Sequence, residues 1–520
     1  MYKSYRMIKV LLALLVMFFC GCQEKGAERE TNNIRAEAPD KPNVLFIVWD
    51  GMQPGRIGSY GADYMHTPAL DSLSATGFTF KHAYVQEALC TPSRFSLLTG
   101  LRPDALRIYN NQTPLYRGNP GIKTFAKLFH DNGYETIKTT GVVPHIEKND
   151  KEWDRTIVAT GNWKGKGYLT RPAIEQMDAY HDRNPEAPKG KGPAWECGDV
   201  VDSAYLDGKK TMAVIRQLRR LKKENKSFLM AVGFTSTHLP FLAPRKYWAM
   251  YPPDEVKLPD NFYLPENKTK YSLTASGELR GYSNIPDGDR VVPVSTAKTL
   301  VRAYQAAISY DDALTGMILD ELKTLGLDSN TIVIFWSDHG AKVGEHLGWA
   351  KQTNYEIDTR IPLIVRVPWL ASSVGKVSGK LVESVDVYPT LAQLCRLEAP
   401  ADLQGNSLVP LMKDVNYPWK QAALSQYPRE GGKIMGYSMR TENYRYTEWV
   451  RLSTAKREAR ELYDHRTDPG ENVNLAGMED EYGPVMDSLS LLMHERWKLS
   501  LTPGGLSGST QGGKQYRATN

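Results

Sequence analysis

Asn43-Val-Leu-Phe-Ile-Val-Trp49, followed directly by Asp50-Gly51, is the first folded-looking stretch of the chain, and its pattern sets the fold class. Apart from Asn43 every residue in it is apolar. A strand whose alternate side chains are all apolar must be covered on both faces, the situation of a strand inside a parallel sheet flanked by helices. Runs of the same kind recur at residues 227–234, 331–336 and 362–367. Amphipathic stretches with helical spacing separate them, notably 205–223 and 297–325. Alternating strands and helices predict an α/β protein with a large, mostly parallel central sheet. From about residue 415 the pattern changes to short alternating pieces (435–439, 444–449, 461–463) and then a helix-like stretch at 484–499. This predicts a small C-terminal antiparallel sheet with one helix.

Two of the apolar runs end in carboxylates: 43–49 in Asp50, and 331–336 in Ser337-Asp338-His339-Gly340. Ligands of open α/β sheets gather beyond the carboxyl ends of the strands. One aspartate there can be a simple cap. Two would repel each other unless a cation joined them, and such oxygen donors suit Ca²⁺ or Mg²⁺.

Cys90-Thr-Pro-Ser-Arg-Phe-Ser-Leu-Leu-Thr-Gly100 carries a second kind of chemistry. Thr91 is a suitable helix cap, Pro92 a suitable first helical residue and Gly100 a suitable stop. Cys90 then stands just before a helix N-terminus, where free N–H groups and the dipole favour an anion, with Arg94 able to reach back. The cap by itself would also fit a buried structural cysteine. The whole stretch, however, resembles the sulfatase signature C-x-P-S-R-x-x-L-x-T-G at each fixed position. Six further segments resemble the branch of that family containing the iduronate-2-sulfatases: His66-Thr-Pro-Ala-Leu-Asp71, Gly100-Leu-Arg-Pro-Asp104, Gly192-Pro-Ala-Trp-Glu196, Ser337-Asp-His-Gly340, Asp386-Val-Tyr-Pro-Thr390 and Glu461-Leu-Tyr-Asp-His465.

The resemblance implies an alkaline-phosphatase-like α/β sandwich and a sulfuric ester hydrolase. It implies that Cys90 is oxidised to formylglycine (3-oxoalanine) by a formylglycine-generating or radical sulfatase-maturating enzyme. Asp50, Asp338, His339 and the oxidised Cys90 would ligate one Ca²⁺, with Mg²⁺ the other candidate. Arg94, His145, His238 and Lys351 would be the catalytic and sulfate-holding residues, His238 in Gly233-Phe-Thr-Ser-Thr-His-Leu-Pro240 facing the leaving oxygen. Substrates of the branch are 2-O-sulfated uronates of glycosaminoglycans, and bacterial relatives act on sulfated algal polysaccharides such as ulvan. Two positions depart from the family pattern. Gly51 stands where most sulfatases have a second aspartate, and Val142 stands where a sulfate-binding lysine is usual, with Lys138 nearby. A phosphoester or phosphonate hydrolase of the same superfamily and an inactive lipoprotein that binds sulfated glycans are the rival readings.

The N-terminus reads as an export signal. Lys3, Arg6 and Lys9 precede an apolar run, 10–19, too short to span a bilayer, and Phe19-Cys20-Gly21-Cys22 resembles a lipobox. Residues 1–21 are expected to be a lipoprotein signal peptide and Cys22 the lipidated residue, an ordinary signal peptide cut elsewhere being the alternative. The protein is then exported and held at a bacterial membrane, in the periplasm or at the cell surface, by its lipid alone. Residues 22–41 would form a tether, 42–410 the catalytic domain, 411–503 a C-terminal subdomain and 504–520 a flexible tail. Beyond Cys20 and Cys22 only Cys90, Cys197 and Cys395 remain, so the chain is not a disulfide scaffold. Its net charge of +6, from 65 basic and 59 acidic residues without a long basic run, argues against nucleic acid and is compatible with an anionic substrate.

Overall fold

The computed structural model describes residues 38–144, 147, 151–187, 189–286, 291–497, 499–502 and 505–508. Cys22 and His145 lie outside the described residues. All that follows belongs to the unit beginning at Ala38.

Eight strands build the central sheet: β1 (Asn43–Trp49), β2 (Phe78–Tyr84), β3 (Glu135–Thr139), β4 (Arg155–Ile157), β5 (Phe228–Phe234), β6 (Thr331–Ser337), β7 (Arg360–Arg366) and β8 (Lys376–Glu383). Their order across the sheet is β8-β2-β7-β6-β1-β5-β3-β4. The unbroken apolar run of β1 has the expected cause. Leu45, Ile47 and Trp49 enter one core, while Val44, Phe46 and Val48 enter a second core on the opposite face. Helices α3 (Leu206–Lys223) and α5 (Val294–Thr324) cover the first face. Helix α1 (Cys90–Thr99) packs on the second through Phe95, Leu97 and Leu98.

The sheet is mostly parallel, but β7 runs antiparallel to both β2 and β6. The expectation that every buried apolar run is a parallel strand fails here for a plain reason. Between β6 and β7 the chain holds a pair of two-residue strands, Lys342–Val343 and Trp349–Ala350, and single helical turns, Glu345–Leu347 and Glu356–Thr359. A parallel return usually runs through a crossover helix lying on the sheet, and no such helix lies between these two strands. A second difference lies in the stretch 150–199, which, like 252–293, is rich in Gly, Pro and charge and reads in the sequence as a long loop insertion of the kind that lines a pocket. It contains α2 (Arg171–Arg183), which starts where the Thr170 hydroxyl accepts from the Ala173 N–H with Pro172 in the first turn. Only Ala173 and Met177 of α2 are buried, so it has little apolar periodicity to read.

The C-terminal part is the expected antiparallel sheet, β9 (Ala422–Arg429), β10 (Ile434–Thr441), β11 (Tyr444–Arg451) and β12 (Lys456–Asp464), in sequential order. Helix α6 (Glu479–Trp497) covers one face through Met486, Leu489 and Met493. Leu499–Thr502 and Gly505–Gly508 pair as a short ribbon, its second strand within the stretch read as tail.

Phe46 joins the two layers of the second core. Its ring lies 5.8 Å from that of Phe125 and 6.3 Å from that of Trp336, and it is wholly buried. Phe46→Ala should lower the unfolding free energy by about 3–5 kcal/mol. Chemical denaturation checks this as a lower midpoint at unchanged m-value.

Candidate active site

Register makes the site. Trp49 at the end of β1 pairs with Ser337 of β6 on one side and with Phe234 of β5 on the other. Three adjacent parallel strands therefore end level, and the residues after them, Asp50, Asp338 with His339, and the Thr235–His238 loop, leave the sheet side by side. Backbone bonds continue the alignment one step further, from Asp50 N–H to Phe234 C=O (3.1 Å) and from Asp338 N–H to Trp49 C=O (3.3 Å).

Helix α1 brings Cys90 and Arg94 to the same spot. The helix begins at Cys90 itself, with Leu89 as the residue before it and no side-chain cap of its own, so Thr91 is not the cap expected from sequence. The free first-turn N–H of Thr91 is instead taken by the Asn111 carboxamide oxygen at 3.1 Å. Gly100 ends the helix at φ +69°, as its position suggested. From the first turn, Arg94 donates through Nη2 to Asp50 Oδ2 (2.7 Å) and through Nε to Asp338 Oδ2 (2.9 Å). Burial acts to raise the Asp50 pKa, but His238, Arg94 and Lys351 outweigh it and hold the carboxyl well below its usual range. The Arg94 guanidinium stays charged, held up against burial by the same two aspartates.

Arg94 uses one oxygen of each carboxylate, and the others face inward. His339 Nδ1 lies 2.8 Å from the Gly340 carbonyl, to which it donates, so in the neutral ring the lone pair is on Nε2. That Nε2 lies 3.3 Å from Cys90 Sγ, 3.5 Å from Asp338 Oδ1 and 3.6 Å from Asp50 Oδ1. Asp50, Cys90, Asp338 and His339, the residues that the resemblance implied as ligands, thus present four donor atoms within 4.8 Å of one another. Two carboxylates, one imidazole with a fixed tautomer and a fourth donor on a helix start fit a divalent cation. In the chain alone, burial and the negative charges of Asp50 and Asp338 push the Cys90 thiol up to about 12, so an unmodified thiol there is protonated at neutral pH. Gly51, at φ +76°, keeps room beside this cluster: a Cβ there would sit 3.4 Å from His339 Cε1.

His238 and Lys351 form the other half. His238 Nδ1 donates to the Leu239 carbonyl (2.7 Å), and its Nε2 lies 2.7 Å from Lys351 Nζ. The loop before His238 is fixed by Asp207, whose Oδ2 accepts from the N–H groups of Thr235 (2.7 Å) and Ser236 (2.8 Å). Lys351 is flanked by Ala350 (φ 72°) and Gln352 (φ 84°), a left-handed pair that turns its side chain inward, where it is 4% exposed. Sequence reasoning missed Glu278, on the single-turn α4 (Gly277–Arg280). Its Oε1 lies 2.7 Å from His238 Nε2 and its Oε2 3.2 Å from Lys351 Nζ. It sits in a Gly- and Pro-rich insertion with no flanking motif, so only the expectation that insertions line the pocket pointed near it. Burial and Lys351 act to lower the His238 pKa, yet Glu278 and Asp50 prevail and raise it to about 9. Val142 is buried in the second core, and Lys138 lies against the Trp153 ring, 5.9 Å from its centre. One other group among the described residues has metal-ligand spacing, Glu356, His465 and Glu471. There Arg445 pairs with both glutamates at 2.6 Å, which makes it an ion-pair network.

The fold and this site are those of an alkaline-phosphatase-like hydrolase of anionic esters. The family described as sulfatase matches residues 42–397, and that described as N-sulphoglucosamine sulphohydrolase, C-terminal, matches residues 344–498. The chain belongs to the sulfatase family and is a sulfuric ester hydrolase. It is 28% identical over 558 residues to iduronate 2-sulfatase of Mus musculus, covering 92% of this chain and 97% of that one. The human iduronate 2-sulfatase is 29% identical, with 89% and 96% covered. The fold superposes with TM-score 0.68, at 21% identity, on a structure solved with its substrate D-glucosamine-2-N,6-O-disulfate, covering 88% of this chain and 98% of that one.

Arg94→Met should leave two buried carboxylates uncompensated and cost about 3–5 kcal/mol in chelator. Calcium should recover much of the loss, because a cation between the free oxygens relieves the same repulsion. Thermal melts of both proteins with EDTA and with Ca²⁺ measure this; equal melting temperatures in EDTA would contradict it.

Proposed function

We propose that this sulfatase removes a sulfate ester from a sulfated saccharide, a 2-O-sulfated uronate or a related sugar of a glycosaminoglycan or algal polysaccharide. The observation that carries the reading is the meeting of Cys90 at the start of α1 with Asp50, Asp338 and His339, bound together by Arg94. The names of the two iduronate 2-sulfatases, and of an ulvan-active sulfatase from Formosa agariphila, support the choice of sugar.

In this reading Cys90 is oxidised to formylglycine, whose hydrate offers one hydroxyl to sulfur and a second whose deprotonation releases sulfate and restores the aldehyde. Asp50, Asp338, His339 and residue 90 would hold a Ca²⁺, which supplies Lewis acidity at the sulfate and at the attacking hydroxyl. Arg94 pairs with both aspartates and adds positive charge at the helix start, where the anion arrives. Lys351 is the buried cation that takes a sulfate oxygen. Burial opposes its charge, but Glu278 and Asp50 hold its pKa above the ordinary lysine value. His238, protonated at neutral pH, gives its Nε2 proton to the sugar oxygen as the S–O bond breaks. On the resemblance alone, His145 takes the proton that frees sulfate. In the same reading an export signal and a lipid on Cys22 would hold the enzyme at a bacterial membrane surface, and a separate maturation enzyme would act on Cys90.

Mass spectrometry of the Cys90 peptide should show formylglycine, and Cys90→Ala should abolish sulfate release. Wild-type turnover by Cys90→Ala would end the proposal, and faster release of phosphate than sulfate from matched esters would reassign the substrate class. His238→Ala should slow hydrolysis of a sugar sulfate about 10²–10⁴-fold, and an aryl sulfate far less, since a phenoxide leaves without a proton. For the sugar sulfate, kcat/KM should fall as pH rises through about 9, where His238 loses its proton.

A further inference from the structure

The proton inventory at His238 leaves one donor, and that donor is already engaged. Nδ1 spends its hydrogen on the Leu239 carbonyl at 2.7 Å. Nε2, the only other ring nitrogen, has Glu278 Oε1 and Lys351 Nζ both at 2.7 Å; in the protonated ring its hydrogen goes to the carboxylate, because an ammonium cannot accept one. The same carboxylate reaches Lys351 Nζ through Oε2 at 3.2 Å. A carboxylate is a planar anion with two oxygens, and here it spans the two cationic donors that a sulfate ester must use. Both cannot be satisfied at once, because His238 cannot protonate a sugar oxygen while its Nε2–H points at Glu278.

The surroundings show which partner moves. Lys351 is held by its left-handed neighbours, and the Gln352 carbonyl accepts from Arg429 Nη2 at 2.8 Å. The backbone of α4 is fixed too. Ser276, at φ 54°, accepts from the Trp349 N–H through Oγ (3.1 Å), Leu279 is wholly buried, and the Glu278 carbonyl accepts from Lys191 Nζ (3.0 Å). The Glu278 side chain itself is 23% exposed, on the solvent side of a lysine that is 4% exposed. Its carboxylate can swing out by side-chain rotation without shifting the turn that carries it.

We propose that Glu278 is a positioning residue that caps His238 and Lys351 in place of the substrate's sulfate and is displaced when a sulfated sugar binds. This rests on the reading above only for the identity of the anion. In the free enzyme the cap keeps two buried cations at close quarters compensated by an anion of their own. On binding, the sulfate takes over that charge, and His238 turns its remaining proton to the leaving oxygen. Apparent affinity for anions is then reduced by the fraction of enzyme that is capped.

Glu278→Gln, which keeps the shape and removes the charge, tests this. Isothermal titration of inorganic sulfate into wild type and variant reads the cap without requiring turnover. The variant should bind sulfate about three- to tenfold more tightly near pH 7, with KM for a sugar sulfate falling in parallel. The alkaline limb of kcat/KM should also move below its wild-type position, because His238 then faces Asp50 and Lys351 with the Glu278 charge gone. Glu278→Asp, one methylene shorter, should lie between the two. Unchanged or weaker sulfate binding in a Glu278→Gln protein that melts like wild type would overturn the proposal, as would a fall in kcat alone with KM and the pH limb unmoved. Failure of the sulfatase reading looks different: wild type would bind sulfate and the variant bind it more tightly, while neither released sulfate from any ester.

Discussion

Two carboxylates brought side by side out of water are the constraint around which this molecule is arranged. The pairing of β1 with β6 forces Asp50 and Asp338 together, since strands in register end together. Left alone, such a pair would protonate or push the strands apart. The chain answers with Arg94, and because Arg94 rides on the first turn of α1, the same ion pairs fix where that helix starts. Cys90 is placed by the charge compensation of the two aspartates as much as by any contact of its own. Oδ2 of each aspartate is used for this structural purpose; both Oδ1 atoms face the Cys90–His339 side, that of Asp338 also accepting from the Gly51 N–H at 3.0 Å.

The site has two electrostatic halves, and the chain keeps them distinct. Around Asp50, Asp338 and His339 the surplus is negative and calls for a cation. Around His238 and Lys351 it is positive and calls for an anion. In the function proposed above, a sulfate ester between them would meet the cation-holding side with its oxygens and the acidic side with its leaving group. Both halves rest on backbone that is tied down: Asp207 clamps the loop before His238, and left-handed residues flank Lys351. That preorganisation is where most of the rate enhancement at such a site originates.

Much of this was legible in the sequence, for identifiable reasons. Strands buried on two faces leave unbroken apolar runs, so β1, β5 and β6 could be read with nearly correct ends. The metal-type donors follow those strands directly, and the stretch from Cys90 to Gly100 is contiguous. What was not legible depends on distance in space. The reversed direction of β7 depends on the missing crossover helix. The cap on α1 comes from Asn111, remote in sequence, where Thr91 looked sufficient. Glu278 carries no local signal, because its meaning comes only from facing His238 and Lys351 across a fold that brings an insertion over the pocket. Val142 could be seen to replace a lysine, but only the structure shows it serving as core packing.

The C-terminal sheet looks like an appendage in the chain order, yet its edge strand grips both arms of the active site. On β9, the Ser425 hydroxyl donates to the Val85 carbonyl at 2.6 Å and the Gln426 N–H to the Gln86 carbonyl at 2.7 Å, on the segment leading into Cys90. At the end of β9, Arg429 holds the turn that presents Lys351, and on β10 the Gly436 carbonyl accepts from the Asn354 amide at 3.0 Å. The smallest piece of this enzyme that could be transplanted or evolved as an intact catalyst therefore includes the hairpin of β9 and β10. A chimera that exchanged this hairpin for a foreign one would inherit the cluster of Asp50, Cys90, Asp338 and His339 from its parent but not the alignment of that cluster with Lys351.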